Sequence, residues 1–298
     1  MLYNLLHKFR ISHVFGRNFF TERFILFRVV YGAIQKISFD KKVSRNEVEL
    51  IIPILKGVGY MNLISNYETW MDKLLPKILG ESKTTVIDVG ANVGQTLLKV
   101  LPLHQMTNYY AIEPNTYCAT YIEDLVRKNT FPNVEVLQYA LSDSTGEAEL
   151  LLRYRDDILA TTSSSFRKYT KYSSTLTVPK TTGDLLFNTR ELENLSILKI
   201  DVEGGELNVL KGFYQTIKTH QPYLVIEILP LHSKDASVAN FRLKNADGIL
   251  ALLRELKYDL YNIKQKIKVE TVQDLSTSLE SSNYIGLPQN KYLGNLLE

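Results

Sequence analysis

The sequence predicts an α/β fold in which a largely parallel sheet carries helices on both faces. Three observations support this. Short apolar, β-branched runs recur at residues 86–89, 109–112, 134–139, 197–201 and 223–227. Segments with apolar residues at helical spacing alternate with them, such as Leu97, Leu98 and Leu101, then Tyr121, Ile122, Leu125 and Val126. A turn of two glycines, Gly90-Ala91-Asn92-Val93-Gly94, joins the first run to its helix. Such strand-helix alternation lets a parallel sheet bury both its faces.

Taken in order, residues 1–35 are rich in aromatic and basic side chains, among them Lys8, Arg10, Phe19, Phe20, Arg23, Phe27 and Arg28. Charges interrupt every apolar run well short of the ~20 residues that a membrane-spanning helix needs. The clean apolar centre of a secretory signal is missing. Two readings stand side by side: a basic amphipathic surface that touches anionic lipid or a lipid-linked substrate, and a helical cap packed on the domain. Ser44-Arg45-Asn46-Glu47 matches a capping box, and Val48, Ile51, Ile52 and Leu55 follow at helical spacing up to Gly57. Residues 66–79 predict another helix, carrying Trp70, Met71, Leu74, Leu75 and Ile78 and ended by Gly80. Residues 1–80 are therefore expected to form a helical N-terminal extension, and residues 81–298 the α/β domain.

Within that domain Thr116 is the expected helix cap after the second strand. Residues 148–153 and 176–178 predict a small β insertion after the third core strand, split by a stretch rich in Ser, Thr and Tyr from Tyr154 to Tyr172. Tyrosine and hydroxyl side chains suit sugar binding, and long loops are often functional. A helix over residues 249–256 and strands over 258–263 and 283–287 complete the pattern.

Composition excludes several classes. A formal charge of +3 over 298 residues is too small to build a nucleic-acid surface. Cys118 is the single cysteine, so no intramolecular disulfide can form. This fits a reducing, cytoplasmic setting, with peripheral membrane contact left open through the N-terminal segment.

The chemistry gathers at strand ends, where open α/β sheets bind ligands. Gly90 allows a sharp turn and a close ligand approach, so Gly90→Val is expected to exclude a cofactor from an otherwise folded domain. Gly94 brings the next helix close. Asp88 would repel a phosphate but suits a cofactor bearing an ammonium and a sulfonium. Glu113, about 20 residues beyond Gly94, is placed to accept ribose hydroxyl protons. The loop is not G-x-G-x-x-G, which argues against a dinucleotide.

The segments 86–94, Glu113-Pro114-Asn115, Ala140-Leu141-Ser142-Asp143 and 198–212 (LKIDVEGGELNVLKG) resemble the FkbM family of methyltransferases, in order and at suitable spacing. The resemblance covers roughly residues 67–230. It implies the Rossmann-like seven-stranded sheet of class I methyltransferases, S-adenosylmethionine as methyl donor, and O-methylation of a sugar, polyketide or related hydroxyl. By position it places Asp88, Gly90, Asn92, Gly94, Glu113 and Asn115 along the donor, with Ala140, Leu141 and Asp143 near its adenine. Gly205 stands where the family usually has Ala. Gly183 replaces a usual Leu, so that helix entry is expected to differ.

A sulfonium donor is already activated, so the protein must align an oxygen and help remove its proton. Asp201 is the first candidate for an active-centre carboxylate touching both donor and acceptor, Glu203 the second, and Glu227 the third. Glu227 is alternatively a partner for Lys199. Glu206, in the first turn of a helix, is accounted for by the helix dipole, and His232 is either a base or an ordinary loop residue. The chain spacing of Asp201 and Glu203 matches no recognised metal motif, so no metal is expected. The expected partner is a small-molecule or glycan acceptor rather than a nucleic acid, because no Asn/Asp-Pro-Pro-Tyr element follows the fourth core strand. A non-catalytic scaffold is the alternative from another class.

Overall fold

The computed structural model describes residues 37–64, 68–153, 157, 160–163, 172–190, 192–291, 294 and 296–297. The basic aromatic segment 1–35 and most of the Ser/Thr/Tyr-rich stretch, including Ser164 and Ser165, lie outside these residues.

The elements run β1 (Ser38–Arg45), β2 (Val48–Leu55), α1 (Tyr60–Ile64), α2 (Met71–Leu79), β3 (Thr85–Val89), α3 (Leu97–Leu103), β4 (Asn108–Ile112), α4 (Thr116–Asn129) and β5 (Val134–Leu137). Then come β6 (Ala140–Leu141), β7 (Gly146–Leu152), β8 (Ser174–Thr181), α5 (Gly183–Leu186), β9 (Leu195–Ile200), α6 (Glu206–Gly212) and α7 (Tyr214–His220). The chain ends with β10 (Tyr223–Glu227), α8 (Ala236–Glu255), β11 (Tyr258–Asn262), β12 (Lys268–Val269) and β13 (Asn283–Pro288).

The main sheet has the order β12-β11-β13-β10-β9-β3-β4-β5. From β10 to β5 every pairing is parallel, and β13 runs antiparallel between β10 and β11. Seven strands of four to six residues thus form the expected sheet, and the two-residue β12 adds an edge that the sequence did not signal. Alternation along each strand splits the core. Val86, Tyr109, Ala111, Ile197 and Val225 pack on one face with α2, α3 and α4. Ile87, Val89, Ile112, Leu198, Ile200 and Ile226 pack on the other with α6, α7 and α8. The insertion is a separate three-stranded sheet, β6-β8-β7.

The helix expected at residues 48–55 is instead a strand, and β1 and β2 form an antiparallel hairpin. Asn46 and Glu47 both take left-handed backbone (φ 47° and 65°), the geometry of a two-residue hairpin turn rather than a capping box. Pro53 would remove a hydrogen bond inside a helix. Buried Leu50, Ile52 and Ile54 recur at the strand period, and each buries enough apolar surface to contribute about 1.5–3 kcal/mol. They join the cluster on the α4 face of the main sheet. The outer edge of β2 is closed by α4: Ile51 N donates to Asn129 Oδ1 (2.7 Å), and Asn129 Nδ2 donates to Ile51 O (2.8 Å). Tyr121 Oη donates to Pro53 O at 3.0 Å. The described part of residues 1–80 is therefore a hairpin and two helices rather than all helix.

Gly183 has a packing reason: a Cβ there would overlap the Phe213 ring, so the usual Leu cannot be accommodated.

Alternation also puts two charges inside the sheet. Asp88 on β3 lies in register with Lys199 on β9, and both are buried. Lys199 Nζ stands 3.5 Å from Asp88 Oδ1 and 3.3 Å from Asp201 Oδ2, while Tyr109 Oη donates to Asp88 Oδ2 at 2.6 Å. Burial alone would favour a neutral amine, but Asp201, Asp88 and Glu68 outweigh it and push Lys199 well above the usual lysine range. Removing one partner of a buried pair strands the other charge, at a cost of about 3–5 kcal/mol. Lys199→Met is expected to lose that much in denaturant melts, with part regained in the double variant Asp88→Asn/Lys199→Met. A loss below about 1 kcal/mol in the single variant would show that the pair does not hold the two strands.

Candidate functional site

A cavity of about 680 Å³ opens at the C-terminal ends of β3, β4, β9 and β10. The β3 loop forms one wall through Gly90, Ala91, Asn92, Gln95 and Thr96. Gly90 N and Ala91 N both donate to Ile112 O, at 2.9 and 3.1 Å, which pins the loop to the end of β4. Gly90 has φ 82°, and a Cβ on it would overlap the carbonyl oxygen of Asp201. The glycine is needed by the protein itself, where two loops cross. The expectation that Gly90→Val leaves a folded domain is accordingly corrected. Gly94 (φ 72°) does not line the cavity; a Cβ there would lie 3.1 Å from Leu125, so it seats the loop on α4.

Glu113 lines the cavity and ties two loops together. Its Oε2 accepts Asn92 N and its Oε1 accepts Asn115 N, both at 2.8 Å. Burial pushes its carboxyl up to about 7, although the two backbone donors pull the other way. Asn92 holds a left-handed φ of 51° at this corner, a conformation that asparagine tolerates better than most residues. Asn115 is not in the lining. It is buried and caps α4 in place of Thr116, its Oδ1 accepting Tyr117 N at 3.1 Å. Ala140 and Leu141 on β6 line the cavity beside Tyr139, whereas Asp143 is exposed outside it. Asp88 also stands outside the lining, held by Lys199 and Tyr109.

The three candidate carboxylates converge. Asp201 follows β9, Glu227 ends β10, and Glu203 (φ 55°) sits between them. One oxygen from each lies within 4.8 Å of the others, a separation that a single divalent cation can bridge. Chain spacing hid this, because Glu227 comes from a different strand. Glu227 Oε1 accepts Ser282 Oγ at 2.8 Å. Burial, then the charges of Asp201 and Glu203, push Glu227 up to about 9. Lys199 reaches Asp88 and Asp201 rather than Glu227. Thr161 of the insertion donates to Glu203 O at 2.8 Å, which fixes the loop after β9. Glu206 turns away from the cavity: it accepts Gly204 N (2.8 Å) and Asn245 Nδ2 (3.2 Å). His232 is exposed and outside the lining.

Sequence reasoning missed Glu68, Gln95, Thr96, Tyr139, Ser282 and Asn283, which all line the cavity. Ser282 and Asn283 arrive there because β13 inserts beside β10, with Asn283 in register with Glu227. Among the described lining residues Lys199 stands against Glu68, Glu113, Asp157, Asp201, Glu203, Glu227 and Glu280. The described lining thus suits a cation better than a phosphate.

The Methyltransferase FkbM domain matches residues 88–260. The chain belongs to the FkbM methyltransferase family. The hexuronic acid methyltransferase AglP of Haloferax volcanii is 27% identical over 149 residues, half of this chain and 57% of the relative. The chain thus spans little more than half of that relative's length. Among solved structures, the FkbM methyltransferase of Methylobacillus flagellatus KT matches at 14% identity and TM-score 0.42, covering 88% of this chain and 59% of that one. A SAM-dependent methyltransferase from Aquifex aeolicus matches at 14% identity and TM-score 0.34, covering 74% and 91%. The family match, rather than these distant structural similarities, carries the assignment.

The crossing of the two loops generates a prediction. Gly90→Ala is expected to cost at least ~2 kcal/mol, the sum of strained backbone and overlap with Asp201. Thermal melting reads this, and an unchanged midpoint would mean that the loops do not meet as described.

Proposed function

We propose that this FkbM-family chain binds S-adenosylmethionine in the strand-end cavity and transfers its methyl group to a hydroxyl of a sugar, a glycan or a related small molecule. The observation that carries the reading is the order of groups along the cavity: Leu141 and Tyr139 after β5, Glu113 after β4, the Gly90 loop after β3, and the three carboxylates after β9 and β10. Leu141 and Tyr139 would hold the purine of the donor, Glu113 its ribose, and Asp201 would face its sulfonium. The relative named for hexuronic acid supports a sugar acceptor.

The donor supplies an electrophilic methyl group when bound. The chain holds it in line with the acceptor oxygen, excludes water and takes the proton. Asp201 follows β9 beside Glu227, with Lys199 Nζ 3.3 Å from its Oδ2. Glu227, pushed up to about 9, carries a proton at neutral pH and leaves the accepting role to Asp201. Asp201→Asn is expected to bind S-adenosylhomocysteine within about threefold of wild type by calorimetry. With hexuronate-containing glycans and neutral oligosaccharides as acceptors, it should lose about 10²–10⁴-fold in turnover. The same assay in EDTA separates a second reading, favoured by the convergence of Asp201, Glu203 and Glu227. Activity lost in EDTA and restored by Mg²⁺ would make the cluster a cation site and displace Asp201 as the base.

Glu113 gives the pH dependence. Its carboxyl is raised, so it becomes protonated as the pH falls through about 7, and only the ionised form accepts both ribose hydroxyls well. From this group alone S-adenosylhomocysteine should therefore bind roughly tenfold more weakly at pH 6 than at pH 8, in proportion to the competent fraction, and Glu68, raised to a similar value, adds to that loss if it too meets the ligand. Glu113→Gln should bind weakly at both values. A flat wild-type profile would remove Glu113 from the ribose.

A further inference from the structure

Glu68 lines the cavity, yet it lies outside the family-matched residues 88–260 and belongs to the segment that leads into α2. Its backbone is fixed there: φ is 47°, and its carbonyl accepts Met71 N at 2.8 Å. The charges that act on it locate it within the cavity. They are Lys199 and Asp201 of the β9 end, Asp88 of β3, and Lys99 of α3. Glu68 thus faces the β3/β9 end of the cavity.

Among the described residues, charge at that end does not balance. Asp88, Asp201 and Glu68 face one ammonium, Lys199, because Lys99 is engaged by Asp72 at 2.6 Å. A partly buried carboxylate without its own cation is costly. Burial, offset in part by Lys199, raises Glu68 to about 7.

We infer that Glu68 receives the α-ammonium group of the donor's methionine moiety, so that the segment ahead of α2 completes the donor site of the FkbM domain. This rests on the donor reading given above. With Leu141 at the purine and Glu113 at the ribose, the lining residues Glu68, Thr96 and Gln95 would remain to hold the amino-acid end. The sulfonium would then lie within reach of Asp201; the amino-acid end carries a carboxylate as well as the ammonium, so Glu68 orients the ammonium inward rather than changing the net charge. Glu68 acts by positioning and does not touch the transferred methyl group.

The experiment compares two ligands by titration calorimetry at pH 8 on the full chain. S-adenosylhomocysteine carries the ammonium, and 5′-methylthioadenosine keeps the adenosine but lacks the amino acid. Glu68→Gln is expected to weaken S-adenosylhomocysteine by about 10–100-fold, the scale of a charge-assisted hydrogen bond, and to leave 5′-methylthioadenosine within about twofold. Glu68→Asp keeps the charge and should restore part of the preference. Equal weakening for both ligands would make Glu68 a support for the loop and overturn the inference, as would no change for either. Wild-type protein that binds 5′-methylthioadenosine as tightly as S-adenosylhomocysteine would overturn it while leaving an adenosine site standing. Wild-type protein that binds neither ligand would overturn the donor reading and this inference with it.

Discussion

The cavity depends on one buried ion pair. Lys199 occupies the middle of a strand whose neighbours are Leu198 and Ile200, and it is accommodated only because β3 sets Asp88 beside it in register. Desolvating an ammonium costs several kcal/mol, and the carboxylates of Asp88 and Asp201 offset it. That requirement fixes how far β3 and β9 can slide. A one-residue slip would turn Lys199 or Asp88 to the other face and leave both charges stranded. With the register fixed, the loops beyond the two strands are forced to cross, and the crossing admits only a glycine at residue 90.

The same pair determines what the site presents to a ligand. Asp88, which the sequence offered as a donor contact, is drawn beneath the cavity by Lys199 and Tyr109. Its charge still shapes the potential above it, and the groups exposed to a ligand become Asp201, Glu68 and the β3 loop. Glu113 is pre-organised in a comparable way: two backbone donors hold its carboxylate before any ribose arrives. A ligand that meets fixed acceptors does not have to order them, which is where pre-organised sites gain affinity.

The core strands were legible because burial on both faces leaves continuous apolar runs, as at 86–89 and 223–227. The hairpin was not. Val48, Ile51, Ile52 and Leu55 fit a helical stripe as well as Leu50, Ile52 and Ile54 fit a strand face, and periodicity cannot choose between them over eight residues. Pro53 and the left-handed turn at Asn46 and Glu47 decide the matter. The site was legible where it rests on strand ends, as for Gly90, Glu113, Asp201 and Glu227. It was hidden where it rests on strand order. Ser282 reaches Glu227 only because β13 inserts between β10 and β11, and nothing in a run of apolar residues specifies that insertion. Asn115 fell on the boundary: a short polar residue at the start of a helix serves the helix first.

These placements divide the cavity by origin. The family-matched residues 88–260 provide the Gly90 loop, Glu113 and the three carboxylates, which on the proposed reading hold the donor and take the proton. Glu68 reaches the cavity from before that region, and Ser282 and Asn283 reach it from beyond. Interactions with the reacting centre are constrained by the chemistry of methyl transfer. Ser282 lines the cavity and donates to Glu227, so a change beside the last strand alters the carboxylate cluster as well as the lining. On the proposed reading, acceptor choice and proton transfer are therefore coupled through a residue that lies beyond the matched residues 88–260.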